Sequence, residues 1–200
     1  MAKGTPASNQ AGEVAPAAVQ FLQGPPPQPF FLSVGFTETH RPYPLATERE
    51  DPRCARPPVT LPDTPDTRQD MANFEASARR LDDAVGTVLR GLEASGLAAN
   101  TLVVCTTDHG IAFPGMKCTL TDHGIGVLLI VRGPEPFSGG KVSDALASQV
   151  DLFPTLCEWL CLPPPAWLQG KSLMPLLRGS AAEVNDEIFA QVNYHAAYRK

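Results

Sequence analysis

The chain has 200 residues, enough for one domain with a substantial core. Hydrophobic residues make up 43% and charged residues 18%, which suits a folded globular chain and argues against disorder. A formal net charge of -5 argues against a nucleic-acid partner, since nucleic-acid binders carry a basic patch or stripe.

No apolar h-region follows Lys3, so the first residues do not read as a signal peptide. As written, the chain reads as cytoplasmic; a periplasmic or secreted protein is expected only if an export signal precedes it. Residues 1–15 are rich in Ala, Gly, Ser and Pro and read as flexible. Ala17, Ala18, Phe21 and Leu22 suggest a short amphipathic helix, ended by Gly24-Pro25-Pro26-Pro27. Residues 1–28 are therefore set apart from a main domain over 29–200.

Pro29-Phe30-Phe31-Leu32-Ser33-Val34-Gly35-Phe36 is almost wholly apolar, the pattern of a strand buried on both faces. A long Pro-rich loop over 37–67 follows. Phe74, Ala78, Leu81, Val85, Val88, Leu89 and Leu92 then recur at three- and four-residue spacing, which predicts a helix capped by Asp66 or Thr67 and stopped at Gly96. Asp82-Asp83, within it, reads as a solvated face. Thr101 to Thr107 reads as a second buried strand, and Ile125 to Val131 as a third. The longest apolar run, Val127 to Val131, is far short of the ~18 residues a membrane-spanning helix needs, so no membrane partner is expected. A helix interrupted by Pro154 is predicted over 143–161, with Cys157 and Cys161 facing the core, and a last short strand over 188–192. The five cysteines match no zinc spacing and suggest no disulfide framework. Alternating strands and helices give an α/β class with a mainly parallel sheet flanked by helices.

Ligands in open α/β sheets bind beyond the carboxyl ends of strands, and Asp108-His109-Gly110 sits at such an end. A carboxylate beside an imidazole suits a divalent metal. Taken alone, the triplet reads rather as a turn-capping Asp beside a half-exposed His. A second Asp-His-Gly, at Asp122, His123 and Gly124, lies at another loop edge, with Lys117 between the two. A metal, a lysine and two histidines facing one crevice would stabilise negative charge on a sulfuryl or phosphoryl group. His40, in Thr37-Glu38-Thr39-His40-Arg41-Pro42, follows the first strand; it reads as an anion donor or general acid, or as a surface-loop histidine.

The strand 29–36 followed by His40-Arg41-Pro42-Tyr43 resembles the sulfatase family. So do Leu81-Asp82-Asp83-Ala84-Val85-Gly86, the stretch through Gly96-Leu97 to Asn100-Thr101-Leu102-Val103-Val104, Asp151-Leu152-Phe153-Pro154-Thr155-Leu156, and Gly170-Lys171-Ser172-Leu173-Met174-Pro175-Leu176-Leu177. The likeness runs from about residue 29 to the end and is nearest to bacterial sulfatases similar to heparan N-sulfatase. It implies an alkaline-phosphatase-like fold, present here without its first strands and C-terminal subdomain. It implies hydrolysis of a sulfate ester or sulfamate on a small molecule or glycan, and one divalent cation, usually Ca²⁺ and sometimes Mg²⁺. Matched motif by motif, Asp108 and His109 are metal ligands. Lys117 bridges sulfate and nucleophile, and His40 contacts the sulfate and serves the leaving group. For Asp122 and His123, where many sulfatases read Tyr-Glu-Gly-Gly, the resemblance implies a part in substrate binding instead.

Two family features have no counterpart. The formylglycine nucleophile arises from Cys or Ser in a Cys/Ser-x-Pro/Ala-x-Arg motif, and none of the five cysteines or the serines fits it. The early Asp-Asp metal pair is also missing. The isolated chain is therefore expected to be inactive. Two alternatives stand beside it: a phosphodiesterase or phosphonate hydrolase of the same superfamily, and a non-catalytic remnant that binds sulfated glycans. The oligomeric state is not legible.

Overall fold

The computed structural model describes residues 10–24, 26–137 and 139–192, together with the backbone of 197–199. Residues 1–9, read above as flexible, lie outside the described residues. The chain divides into two compact units. One comprises Met1–Ala99 and His109–Lys117, the other Asn100–Asp108 and Cys118–Lys200.

In the first unit, α1 spans Ala11–Gln23 and buries Ala11, Val14, Ala15, Ala18 and Leu22. It starts six residues before the expected helix because Ala11, Val14 and Ala15 extend the same apolar stripe upstream. Pro16 lies inside it and leaves one backbone bond unmade, yet its ring is exposed. The first amide, Ala11 N–H, donates to the Glu38 carboxylate at 3.0 and 3.2 Å, so a distant acid satisfies the positive end of the helix.

The long helix α2 spans Pro65–Ala94. Its cap is Thr64, not Asp66 or Thr67: Thr64 and Thr67 exchange side-chain-to-backbone bonds, and Pro65 occupies the first helical position, where no amide is needed. Gly96 takes φ +73°, the left-handed conformation that terminates the helix as expected. The apolar stripe is only half-buried except at Leu92; the fully buried face is one of small residues, Ala72, Ala76, Ser77, Ala84 and Gly91. Small residues let α1 approach closely. A Cβ on Gly91 would lie 2.8 Å from a methyl of Val19. Asp82 and Asp83 are exposed, as read from the sequence.

Residues 30–36 have no regular secondary structure and form no strand ladder among the described residues, which corrects the buried strand expected over 29–36. Its residues alternate. Phe36 packs on Ala11, Ala15 and Ala84, and Phe30 meets Phe21 edge-on at 5.7 Å, whereas Phe31 is 87% exposed. An all-apolar run hides that alternation, because the open face is as hydrophobic as the covered one. The following loop is irregular but tied down. Buried Glu50 accepts from Thr47 N–H and Oγ1 at 2.9 and 2.7 Å and pairs with Arg79 of α2.

In the second unit, β1 (Val103–Thr106) pairs with β2 (Leu129–Arg132), Val103 opposite Arg132 and Thr106 opposite Leu129. The pairing is antiparallel and corrects the expected parallel sheet for these strands. The connection over 107–128 holds only a one-turn helix, α3 (Asp122–Ile125), where a parallel crossover usually carries a full helix across the sheet. That turn also takes Ile125, the first residue of the strand expected over 125–131, and the strand begins only at Leu129. Val104 and Ile130 are exposed on opposite faces of the pair, so neither strand is buried on both sides.

The helix expected over 143–161 is shorter. A 3₁₀ turn at Gln149–Asp151 leads into α4 (Leu152–Trp159), and Pro154 sits in the first turn, where it interrupts nothing. Cys157 is buried as expected; Cys161 lies past the helix end, exposed and with φ +54°, and does not face the core. A short α5 (Met174–Leu177) was not anticipated. The last expected strand narrows to β3 (Ala190–Val192), antiparallel to β4 (Ala197–Arg199).

Asp151 centres the polar heart of this unit. It is 2% exposed and accepts from Ser148 N–H, Lys171 N–H and Asn185 Nδ2, each at 2.8 Å. Thr155 Oγ1 donates to the Asp151 carbonyl at 2.6 Å and accepts from Leu173 N–H at 2.8 Å. No helix among the described residues is long and apolar enough to cross a membrane.

Candidate functional site

His40 follows the 30–36 segment through a tight turn in which its own N–H donates to Thr37 O at 2.7 Å. The side chain is exposed, and Nδ1 lies 2.6 Å from the Arg41 carbonyl. A carbonyl only accepts, so Nδ1 carries the proton and Nε2 keeps its lone pair. His109 repeats the arrangement: it is half-buried, with Nδ1 2.7 Å from the Gly110 carbonyl. His40 and His109 thus both donate from Nδ1 to the next residue's carbonyl, and in a neutral ring so held the acceptor nitrogen is Nε2.

His109 and Lys117 bound one loop of the first unit. Its middle is anchored by Phe113 and Met116, 2% and 8% exposed. Tyr43, Phe74 and Phe113 form a triangle of rings with centroids 5.6 to 5.9 Å apart, joining the His40 segment, α2 and this loop. Gly115 takes φ +77°, and a Cβ there would lie 3.3 Å from the Thr60 side chain, so the loop turns where only glycine fits easily. Lys117 follows, half-buried.

Arg41 crosses between these parts. Its Nε donates to the Ala112 carbonyl at 2.9 Å, and Nη1 and Nη2 donate to the two Asp70 oxygens at 2.9 and 2.5 Å. The guanidinium lies over the Tyr43 and Phe113 rings, 4.4 and 5.1 Å from their centroids. Tyr43 Oη donates to the same Ala112 carbonyl at 3.2 Å. The bond to Asp70 is the main influence raising the Arg41 pKa, and burial raises that of Tyr43, so both keep their protons at neutral pH. Sequence reasoning quoted Arg41 and Tyr43 only as flanks of His40 and passed over Asp70. Nothing in the sequence links positions 29 residues apart.

The second unit supplies the other candidates. Asp108 is exposed just past the end of β1. Gln149 Nε2 donates to Thr107 O at 2.5 Å, and Thr106 Oγ1 donates to Leu128 O at 2.9 Å, so the strand end that precedes Asp108 is held. Asp122 and His123 open α3 and are exposed, over a buried Gly124.

His40, His109 and Lys117 therefore share one unit, while Asp108, Asp122 and His123 belong to the other. Among the described residues, no three or more His, Cys, Asp or Glu side chains gather closely enough to hold a metal ion. Asp108 and His109, consecutive in the chain, offer one oxygen-bearing and one nitrogen donor, whereas Ca²⁺ takes six to eight oxygens. The donors present do not make a complete cation site.

Residues 8–161 match the family model described as Sulfatase. The chain is 32% identical to human N-sulphoglucosamine sulphohydrolase over 210 residues, covering 88% of this chain and 41% of the relative. It is 30% identical to steryl-sulfatase of Mus musculus, covering 87% of this chain and 28% of the relative. A multifunctional alkaline phosphatase superfamily protein of Trinickia caryophylli is 22% identical, over 90% of this chain and 44% of the relative. The chain thus spans less than half the length of these relatives.

Proposed function

The chain belongs to the sulfatase family, and from that premise we propose that its protein hydrolyses a sulfate ester or sulfamate. The family implies an alkaline-phosphatase-like α/β fold, and the helices and small antiparallel sheet are consistent with part of it. The observation that carries the proposal is the extent of the family match. Its 8–161 range includes His40, Asp108, His109, Lys117, Asp122 and His123. The likeness to an enzyme named for N-sulphoglucosamine favours a sulfated glycan or a sulfated small molecule related to one.

Each residue has a role in this reading. Lys117 presents a point charge and up to three donors to a sulfuryl group, an interaction that strengthens as charge grows on its oxygens. His40, with its Nδ1 proton committed to Arg41 O, works through Nε2, which when protonated serves the leaving oxygen or nitrogen as general acid. Asp108 and His109 are proposed as two ligands of the divalent cation that the family generally uses, Ca²⁺ or else Mg²⁺; that cation would withdraw charge from the sulfate. Asp122 and His123 are proposed to contact the remainder of the substrate.

No Cys or Ser in these 200 residues lies in the formylglycine motif, and the donors among the described residues do not complete a cation site. The purified 200-residue chain is accordingly predicted to release no p-nitrophenol from p-nitrophenyl sulfate above the buffer rate, with or without added Ca²⁺. Turnover that Lys117→Ala abolishes would overturn this. The phosphodiester reading draws on the alkaline phosphatase superfamily relative. Bis-p-nitrophenyl phosphate in parallel distinguishes it, since hydrolysis of that compound alone would favour the phosphodiesterase.

A further inference from the structure

The Arg41 guanidinium makes four contacts, which together reach α2, the 109–117 loop and Tyr43 of its own segment. It holds Asp70 of α2 through both carboxylate oxygens, the Ala112 carbonyl midway along the 109–117 loop, and the faces of Tyr43 and Phe113. Its own backbone carbonyl accepts the Nδ1 proton of His40. One residue therefore joins the turn that presents His40 to the loop bounded by His109 and Lys117.

We infer that Arg41 is a positioning residue, which sets where the 109–117 loop, and with it His109 and Lys117, lies relative to His40. The inference rests on the sulfatase reading for the identity of the anion, but not for the mechanical role. An exposed ion pair alone would contribute little, and the Arg41 and Asp70 side chains are 41% and 34% exposed. The geometry is more demanding than that of such a pair. A planar fork engages a carboxylate with both Nη atoms while Nε donates sideways to a carbonyl, and the plane stacks on two rings. Lysine keeps the charge but offers neither the fork nor the sideways bond. The Arg53–Asp51 pair in the same unit is a matched control, because it is a local contact between residues two apart in an exposed loop.

The test uses the purified chain with inorganic sulfate as the probe. Arg41→Lys, Asp70→Asn and the control Arg53→Ala are compared with the parent by thermal melt, amide hydrogen exchange and sulfate titration. The two clamp variants should melt within a few degrees of the control. Their Phe113 and Met116 amides should exchange at least tenfold faster, while α2 amides are unchanged. Sulfate affinity should fall about tenfold in both, and no further in the double variant, as for two halves of one clamp. Loop exchange unchanged in a folded Arg41→Lys, or raised equally along α2, overturns the inference, as does a loosened loop with unaltered sulfate affinity. If the parent chain does not bind sulfate, the sulfatase reading of the site fails. A loop selectively loosened by Arg41→Lys would still support the positioning role.

Discussion

At the scale of single residues, two of the motifs that carry the family likeness meet in a buried polar network. Asp151-Leu152-Phe153-Pro154-Thr155 and Gly170-Lys171-Ser172-Leu173 meet around one buried carboxylate. Asp151 takes three N–H donors, and Thr155 relays between the Asp151 carbonyl and Leu173. Their place in the family pattern follows from burial, because a polar group without water must find partners. Glu50 is the counterpart in the first unit. Hydrogen bonds from the Thr47 hydroxyl and amide, with Arg79 beside them, hold its carboxyl down to about 2 from an ordinary 4.5. A depressed folded pKa contributes stability above the unfolded value and loses it as pH falls through the folded one. Glu50 is therefore predicted to add acid sensitivity between about pH 4.5 and 2. In Glu50→Gln, the fall in urea midpoint across that window should be shallower than in the parent. Asp51, also held at about 2, keeps part of the slope. An unchanged slope would contradict the assignment.

At the scale of elements, helices were easier to read than strands. The long helix declared itself by its period, and its end by Gly96. Its start was misplaced because Pro65 conceals a threonine cap upstream. Strand pairing was not legible. Val103 to Cys105 and Leu129 to Val131 are apolar on both faces, so neither burial nor direction can be read from them. Close approach is similarly invisible in sequence. Gly170 appeared only as one letter of a motif. In the fold, a Cβ there would sit 2.1 Å from the Val150 carbonyl oxygen and 2.8 Å from the Asp151 amide nitrogen. Both neighbours are backbone and cannot turn aside. Gly170→Ala should therefore push the 170–173 strip off Asp151 and destabilise the second unit by about 3 kcal/mol. A denaturation midpoint equal to the parent's would show that the strip yields without strain.

At the scale of the whole molecule, the six candidate residues divide three and three between the two units, and the described residues gather no metal cluster. The histidine tautomers, the anchored 109–117 loop and the Arg41 clamp emerged only from the structure, because they depend on carbonyls and rings distant in sequence. The candidate residues were proposed from expected strand ends and loop edges, where ligands bind in α/β proteins; Asp108 does follow β1, whereas the segment before His40 forms no strand ladder. On the proposed function, the first unit carries part of an anion-recognition surface made by His40, His109 and Lys117. An NMR titration of the isotopically labelled chain with sodium sulfate at constant ionic strength tests it directly. The account predicts saturable shifts at those three residues, with an affinity on the order of millimolar, and their loss in Lys117→Ala with the rest of the spectrum retained. Shifts scattered over the surface, or an equal response in Lys117→Ala, would contradict it.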